Sequence, residues 1–205
     1  MIDEIAFDER GLAPCVIQDA ATGEVLTLAW VNAEALERTL ATGEMHLWSR
    51  SRGELWHKGE SSGNIQRVRE LRWDCDADAV LALVDPAGPA CHTGERTCFH
   101  NAANGGPRPV AHEALAALER TIAARRDERP EGSYTARLLD DPDLIGAKVR
   151  EEADEVTRAV ADESDERVAA EAADLIYHLE VALASRGLGV EDALAVLNER
   201  RRGGG

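Results

Sequence analysis

The sequence predicts a two-domain protein. The first half is α+β with short, mainly antiparallel strands, and the second half is all α. Three observations carry this. The chain has 205 residues, which at roughly 100–200 residues per domain allows one domain or two small ones. All four cysteines and all four tryptophans (Trp30, Trp48, Trp56, Trp73) lie in the first half, while the charge divides evenly, −8 in each half. Between the halves runs Asn101-Ala-Ala-Asn-Gly-Gly-Pro-Arg-Pro109, a turn-rich stretch that breaks helices. The expected division is 1–104, a linker over 105–111, and 112–205.

Taken in order, Val25–Val31 is rich in β-formers and follows a Thr22-Gly23 turn signal. Asn32 can cap a helix over Ala33–Thr42, with Gly43 as its stop. Met45–Trp48 and Leu55–Lys58 flank the polar turn Ser49–Gly53 and read as a hairpin, and Gln66–Cys75 and Ala79–Val84 are further strands. In the second half Leu115, Leu118 and Ile122 keep helical spacing. Asp141-Pro142 is an N-cap followed by proline at the first helical position, and its helix runs to about Asp162. Two more helices cover about Glu166–Ser185, ending at Gly187, and about Val190–Arg202.

Composition removes several function classes. Lys+Arg is 23 against Asp+Glu 39, a formal net charge of −16, so the basic footprint of a nucleic-acid binder is missing. No apolar run approaches the ~18 residues of a membrane span, and the acidic start MIDEIAFDERG lacks a signal-peptide core. Four cysteines are too few for a disulfide scaffold. The expectation is a soluble cytoplasmic protein whose thiols serve as metal ligands.

The first constellation is Asp74-Cys75-Asp76-Ala77-Asp78. On a strand, Asp74, Asp76 and Asp78 share one face and Cys75 the other. Three adjacent carboxylates call for a cation, and hard oxygen ligands suit Mg²⁺. Cys91 and Cys98 follow in Gly-flanked loops. Three thiols without the paired C-x₂₋₄-C spacing of structural zinc fit a catalytic zinc with an open position; three buried cysteines and a solvated acidic turn fit the spacing equally well. Upstream lies a dense donor block. Arg50, Arg52 and Lys58 can contact phosphates, and Ser49, Ser51, Ser61 and Ser62 can donate hydrogen bonds, with Asn64 closing the block. Trp48 or Trp56 can stack on a base. Only two of the 23 basic residues are lysines, Lys58 and Lys148, and both fall inside these motif-like segments.

Together, Ala29-Trp-Val-Asn32, Trp48-Ser-Arg-Ser-Arg52, Leu55-Trp…Lys58-Gly-Glu…Ser62-Gly-Asn…Gln66, Asp74-Cys-Asp-Ala-Asp78 and Cys91-His-Thr-Gly…Cys98-Phe resemble the phosphoribosyl-AMP cyclohydrolases of histidine biosynthesis, over about residues 10–104. The resemblance implies Zn²⁺ on Cys75, Cys91 and Cys98 and Mg²⁺ on Asp74, Asp76 and Asp78. It also implies a homodimer whose zinc sites draw cysteines from both subunits, and hydrolytic opening of the adenine ring at N1–C6. His92 is then a candidate proton shuttle, a role that stands equally beside that of a loop histidine satisfied by a carbonyl. His46, His57 and His100 take no role, and Cys15 is a small buried residue. Leu47 departs from the family, which often carries an aromatic there, but removes no ligand.

The second constellation lies on the helix opened by Asp141. Ile145, Val149, Val156 and Val160 form an apolar stripe, interrupted by Glu152. A lone buried carboxylate is costly, so Glu152 within the stripe counts against the alternative, an acidic and well-solvated helix pair of the kind common in a chain of net charge −16. Glu151 and Glu155 adjoin it, and Lys148 stands one turn before it. The next helix is expected to bury Val168, Leu175, Leu179 and Leu183, with Glu171 and Asp174 at the edge of that stripe. Facing acidic patches of this kind need divalent cations between them. The pattern Glu151-Glu-x-x-Glu155…Glu171-x-x-Asp174 resembles the all-α nucleoside triphosphate pyrophosphohydrolases. With Gly132-Ser-Tyr-Thr-Ala-Arg-Leu138 and Lys148-Val-x-Glu-Glu-Ala153 it resembles their phosphoribosyl-ATP branch, over about 112–202. This implies Mg²⁺ on Glu151, Glu152, Glu155, Glu171 and Asp174, with Lys148 among the substrate contacts, and water attack between the α and β phosphates. Its product is the substrate implied for the first half. The competing readings are a deaminase fused to a nucleotide-pool pyrophosphatase and a zinc-stabilised interaction module. The absent H-x-E and P-C-x-x-C signature counts against the deaminase; an open zinc position counts against the module.

Overall fold

The computed structural model of the chain describes residues 2–103 and 110–203. The chain divides into two compact units, Met1–Arg108 and Pro109–Gly205; the expected linker lies outside the described residues except for positions 110 and 111.

The first unit contains β1 (Ala13–Asp19), β2 (Val25–Val31), α1 (Ala33–Thr42), β3 (His46–Ser49), β4 (Glu54–His57), β5 (Gln66–Trp73) and β6 (Val80–Pro86). A four-stranded sheet runs in the order β2-β1-β6-β5 and the β3-β4 hairpin forms a second sheet. Among these strands only the β1–β6 pairing is parallel. β1 has no counterpart in the sequence reading, although its residues alternate strictly between buried and half-buried. Pro14 obscures it, because proline argues against a central strand. Pairing with β6 begins only at Cys15, opposite Val80, so the N–H that proline lacks is not needed there. The core is Ile17, Leu26, Leu36, Met45, Leu47 and Val84. Cys15 is fully buried as expected, and burial pushes its thiol up to about 12.

Local signals place α1 as expected. The Asn32 side chain accepts the Ala35 N–H at 2.8 Å, and Gly43 closes the helix at φ +71°, a conformation that costs glycine least. The loop after β6 is tied down by charge. Arg96 pairs with both Asp19 and Glu24, linking it to the β1–β2 turn, and the Cys98 N–H bonds the Leu26 carbonyl at 2.8 Å.

The second unit is helical throughout: α2 (Ala114–Glu128), α3 (Tyr134–Asp140), α4 (Pro142–Asp162), α5 (Asp165–Ser185) and α6 (Val190–Gly203). Asp141 caps α4 through the Leu144 N–H at 3.0 Å with Pro142 in its first turn, and Ser164 caps α5. Ile122, Leu138, Ile145 and Val181 form the core. The apolar stripes depart from those expected. Val160 and Leu179 are exposed, and Val168, Leu175 and Leu183 are only half-buried, whereas Glu171, His178 and Val181 are among the buried positions of α5; Ile176 is exposed as well. Apolar residues on α5 span more than one face, so two rotations compete. The one adopted turns Glu171 and His178 inward, where His178 meets Glu152 of α4. No helix among the described residues is long and apolar enough to cross a membrane.

Candidate active sites

In the first unit β5 ends at Trp73, so Asp74–Asp78 is a turn and the expected strand alternation does not occur. Asp74 closes the turn: its N–H bonds the Ala79 carbonyl at 3.1 Å and its Oδ1 accepts the Ala79 N–H at 3.1 Å. Ala77 adopts φ +62° within it. The carboxylates of Asp74, Asp76 and Asp78 nevertheless converge, with ligand oxygens within 4.8 Å of one another. The charges of Asp76, then Asp74, raise the Asp78 carboxyl.

Cys91 and Cys98 lie side by side, and Cys75 does not. Cys91 is buried and Cys75 is exposed on the acidic turn; among the described residues no group of three metal-ligating side chains unites the three. The Thr93 hydroxyl donates to Cys91 Sγ at 3.1 Å. That bond, followed by the Thr93 backbone bond and helped by Cys98 and His100, holds the Cys91 thiol below its ordinary range, favouring the thiolate that binds metals. Lys58 points inward. It is 9% exposed, its Nζ donates to the Ala90 carbonyl at 2.5 Å, and it sits 5.1 Å from the Trp56 ring centroid. Burial lowers its pKa, opposed by the charges of Cys98 and Cys91.

A cavity of about 470 Å³ is lined by Trp56, Lys58, Ser61, Ser62, Asn64 and His92 together with Cys91 and Cys98. A second concavity of about 940 Å³ is lined by Trp48, Ser49, Arg50, Ser51 and Arg52. The two share Leu28, Ala29, Leu47, Trp56 and His92 in their linings. The donor block and the two thiols therefore line adjoining concavities, which this shared wall joins into a groove in outline. Arg50 stacks on Trp30 at 4.5 Å, and Arg52 is engaged by Ser49 and Glu54. Arg10 joins the same groove. It stands alone in the sequence, and no local pattern announces it. Gly59 is required where it is: at φ +91° a Cβ would strike the backbone of Asn64 and Ile65.

In the second unit Glu152 and Glu171 are 6% and 3% exposed. With Glu155 they place carboxylate oxygens within 4.8 Å of one another. Glu151 and Asp174 do not join them. Glu151 is exposed and bound to Lys148 at 2.8 Å, an interaction that lowers its pKa; Asp174 is exposed, and its carbonyl lies 2.8 Å from His178 Nδ1. Lys148 also pairs with Glu152 at 3.0 Å, its pKa raised by the two carboxylates, and Arg167 pairs with Glu171. Sequence reasoning does not find the contact network beside this trio. The Tyr134 hydroxyl lies 3.2 Å from His178 Nε2 and Thr135 Oγ1 2.8 Å from the Tyr177 hydroxyl.

A donor-lined groove ending at paired thiols, and separately a helical carboxylate trio, define a two-site enzyme. Family models match both units: phosphoribosyl-AMP cyclohydrolase over residues 27–100 and phosphoribosyl-ATP pyrophosphohydrolase over 115–201. The chain is 49% identical over 199 residues to the histidine biosynthesis bifunctional protein HisIE of Bacillus subtilis, covering 97% of this chain and 95% of that one. It is 50% identical over 202 residues to the protein of the same name from Thermus thermophilus, covering 98% and 94%. The chain belongs to the family of bifunctional histidine-biosynthesis proteins, hydrolases that join a cyclohydrolase to a pyrophosphohydrolase.

Proposed function

We propose that the helical unit cleaves phosphoribosyl-ATP to phosphoribosyl-AMP and pyrophosphate, and that the first unit then opens the adenine ring of phosphoribosyl-AMP by hydrolysis of N1–C6. The observation that carries this reading is the groove that ends at Cys91 and Cys98, with family models for the two consecutive steps matching the two units. Trp48 and Trp56 offer aromatic surface for the purine. Arg50, Arg52 and the serines offer donors for the phosphates. His92 lines both parts of the groove and is suited to move the proton of the attacking water.

The donor sets fit metals of two kinds. Cys91 and Cys98 are soft ligands on one chain, and Cys75 of a second copy would complete a three-thiolate zinc site. Zinc there would lower the proton affinity of an attacking water. Asp74, Asp76 and Asp78, and separately Glu152, Glu155 and Glu171, offer hard oxygens suited to Mg²⁺; Glu151 and Asp174, which the family resemblance adds to the second set, flank it on the same two helices. Magnesium would offset the charge of the polyphosphate. A homodimer is part of this reading. It supplies the third thiol and covers Val160, Ile176 and Leu179, which a single chain leaves exposed. Placement in the cytoplasm is likewise part of the proposal.

The test is incubation of the protein with phosphoribosyl-ATP and Mg²⁺, with chromatography of the products. Pyrophosphate and the ring-opened nucleotide should appear in equal amounts. Accumulation of phosphoribosyl-AMP without ring opening would overturn the assignment of the first unit, and absence of pyrophosphate that of the second.

A further inference from the structure

A line of contacts leads away from the carboxylate trio. His178 is buried, with Nδ1 3.7 Å from Glu152 Oε1 and 2.8 Å from the Asp174 carbonyl. Both neighbours are acceptors, so in the neutral ring Nδ1 carries the hydrogen and Nε2 accepts one. The Tyr134 hydroxyl, 3.2 Å away, is that donor, and the phenol ring is thereby fixed edge-on to the imidazole. The guanidinium of Arg137 lies over the Tyr134 ring, 5.1 Å from its centroid. Around these two side chains opens a cavity of about 640 Å³, lined also by Arg129, Ser133 and Asp140. Arg129 and Asp140 are paired at 2.6 Å. Among the described residues Arg137 has no carboxylate partner, although the chain carries 39 acidic residues.

The chemistry along this line is carboxylates, then aromatic rings, then an unpaired guanidinium. The substrate read for this unit has a matching order: polyphosphate, adenosine, then a second ribose on N1 bearing its own phosphate. A planar guanidinium held by stacking suits bidentate binding of that terminal phosphate. We propose that Arg137, braced by Tyr134, binds the phosphate of the N1 phosphoribosyl group and is the residue by which the helical unit distinguishes phosphoribosyl-ATP from ATP. The inference rests on the pyrophosphohydrolase reading. ATP lacks the group that would reach the cavity, so Arg137 should contribute nothing to its binding.

The experiment compares KM for phosphoribosyl-ATP with the inhibition constant of ATP, in the full-length wild type and in Arg137→Gln and Arg137→Lys. KM for phosphoribosyl-ATP should rise at least ~10-fold in Arg137→Gln, the smaller end for loss of a charged hydrogen bond. The ATP constant should change less than about twofold, and Arg137→Lys should recover part of the loss because it keeps the charge. Equal losses for both ligands would assign Arg137 to the shared triphosphate and overturn the proposal, as would no change for either. Arg137→Ala, which also removes the charge, gives the same comparison if Arg137→Gln fails to fold. A wild type that releases no pyrophosphate from phosphoribosyl-ATP at all would overturn the underlying reading, an outcome distinct from altered discrimination.

Discussion

Glu180 is a buried carboxylate of the helical unit that stands apart from the carboxylate trio. It is 4% exposed, and among the described residues neither carboxylate oxygen has a hydrogen-bond partner. It lines a small void with Glu119 and Ile122 of α2 and with Leu188, Gly189 and Val190 of the α5–α6 turn. The polar groups nearby are already engaged: Glu119 accepts the Val190 N–H at 3.1 Å and Asp192 the Gly189 N–H at 2.8 Å. Burial, then the charge of Glu119, pushes the Glu180 carboxyl from 4.5 up to about 7. The folded state therefore holds the proton more tightly than the unfolded one. The stability this confers is complete below pH 4.5 and is lost as pH rises through about 7. Integrated over that interval at 1.36 kcal/mol per pH unit, the ionised carboxylate costs about 3 kcal/mol at pH 8 and under about 1 kcal/mol at pH 5. Glu180→Leu removes the titrating group and keeps an apolar side chain in the void. Urea unfolding followed at 222 nm should show the variant more stable than wild type at pH 8, with a midpoint about 2–3 M higher for a unit of this size. The gain should shrink to a small fraction at pH 5. A gain equal at both pH values, or a variant less stable at pH 8, would refute the reasoning.

Further expectations follow from the two sites. Cys98→Ser replaces a thiolate by a hydroxyl that stays protonated; the variant should convert phosphoribosyl-ATP to phosphoribosyl-AMP and stop, with ring opening down at least ~10²-fold by product chromatography. Glu155→Gln should reduce pyrophosphate release on the same scale while added phosphoribosyl-AMP is still opened. Elemental analysis of the purified protein should find about one zinc per chain, and Cys75→Ser should lower that content as Cys98→Ser does. Gly59→Ala, forced into φ +91° against the Asn64 backbone, should destabilise the first unit by at least about 1–3 kcal/mol in a thermal melt.

What can be read from the sequence is what local chemistry dictates. The Asn32 and Gly43 caps, the Asp141-Pro142 start and the Ser49–Gly53 hairpin turn each act within a few residues, and each stands where expected. Glu152 is legible for another reason: it interrupts an apolar stripe, and the structure buries it beside Glu155 and Glu171. β1 is hidden by Pro14, whose harmlessness depends on where β6 begins to pair. The rotation of α5 escapes the sequence because its apolar residues span several faces, and only the polar partners on α4 decide between them. Arg10 and the Tyr134–His178 bond are beyond reach, since each depends on segments distant in sequence.

The cysteines show the same limit from the other side. Spacing places Cys75, Cys91 and Cys98 in one set, yet one chain brings only Cys91 and Cys98 together and leaves Cys75 exposed. A thiol exposed beside three converging carboxylates is poorly placed to be a buried structural cysteine, and the raised Asp78 carboxyl shows that the same turn works against its own charge. Both features are relieved if the turn meets a second copy that brings cations and the remaining thiols. The full-length match to bifunctional relatives fixes the family; the proposed three-thiol site would need two chains, because one chain keeps Cys75 apart from Cys91 and Cys98. Co-expressing Cys75→Ser with Cys98→Ser chains should then restore ring opening in mixed dimers. In such a dimer one site retains Cys75 from one chain and both Cys91 and Cys98 from the other, while the second site lacks both Cys75 and Cys98. A purified mixed dimer, with one of its two symmetry-related sites intact, should show about half the wild-type activity, and each variant alone should be inactive. Failure to recover any activity, with mixed dimers demonstrated by mass, would mean that all three thiols serve from a single chain.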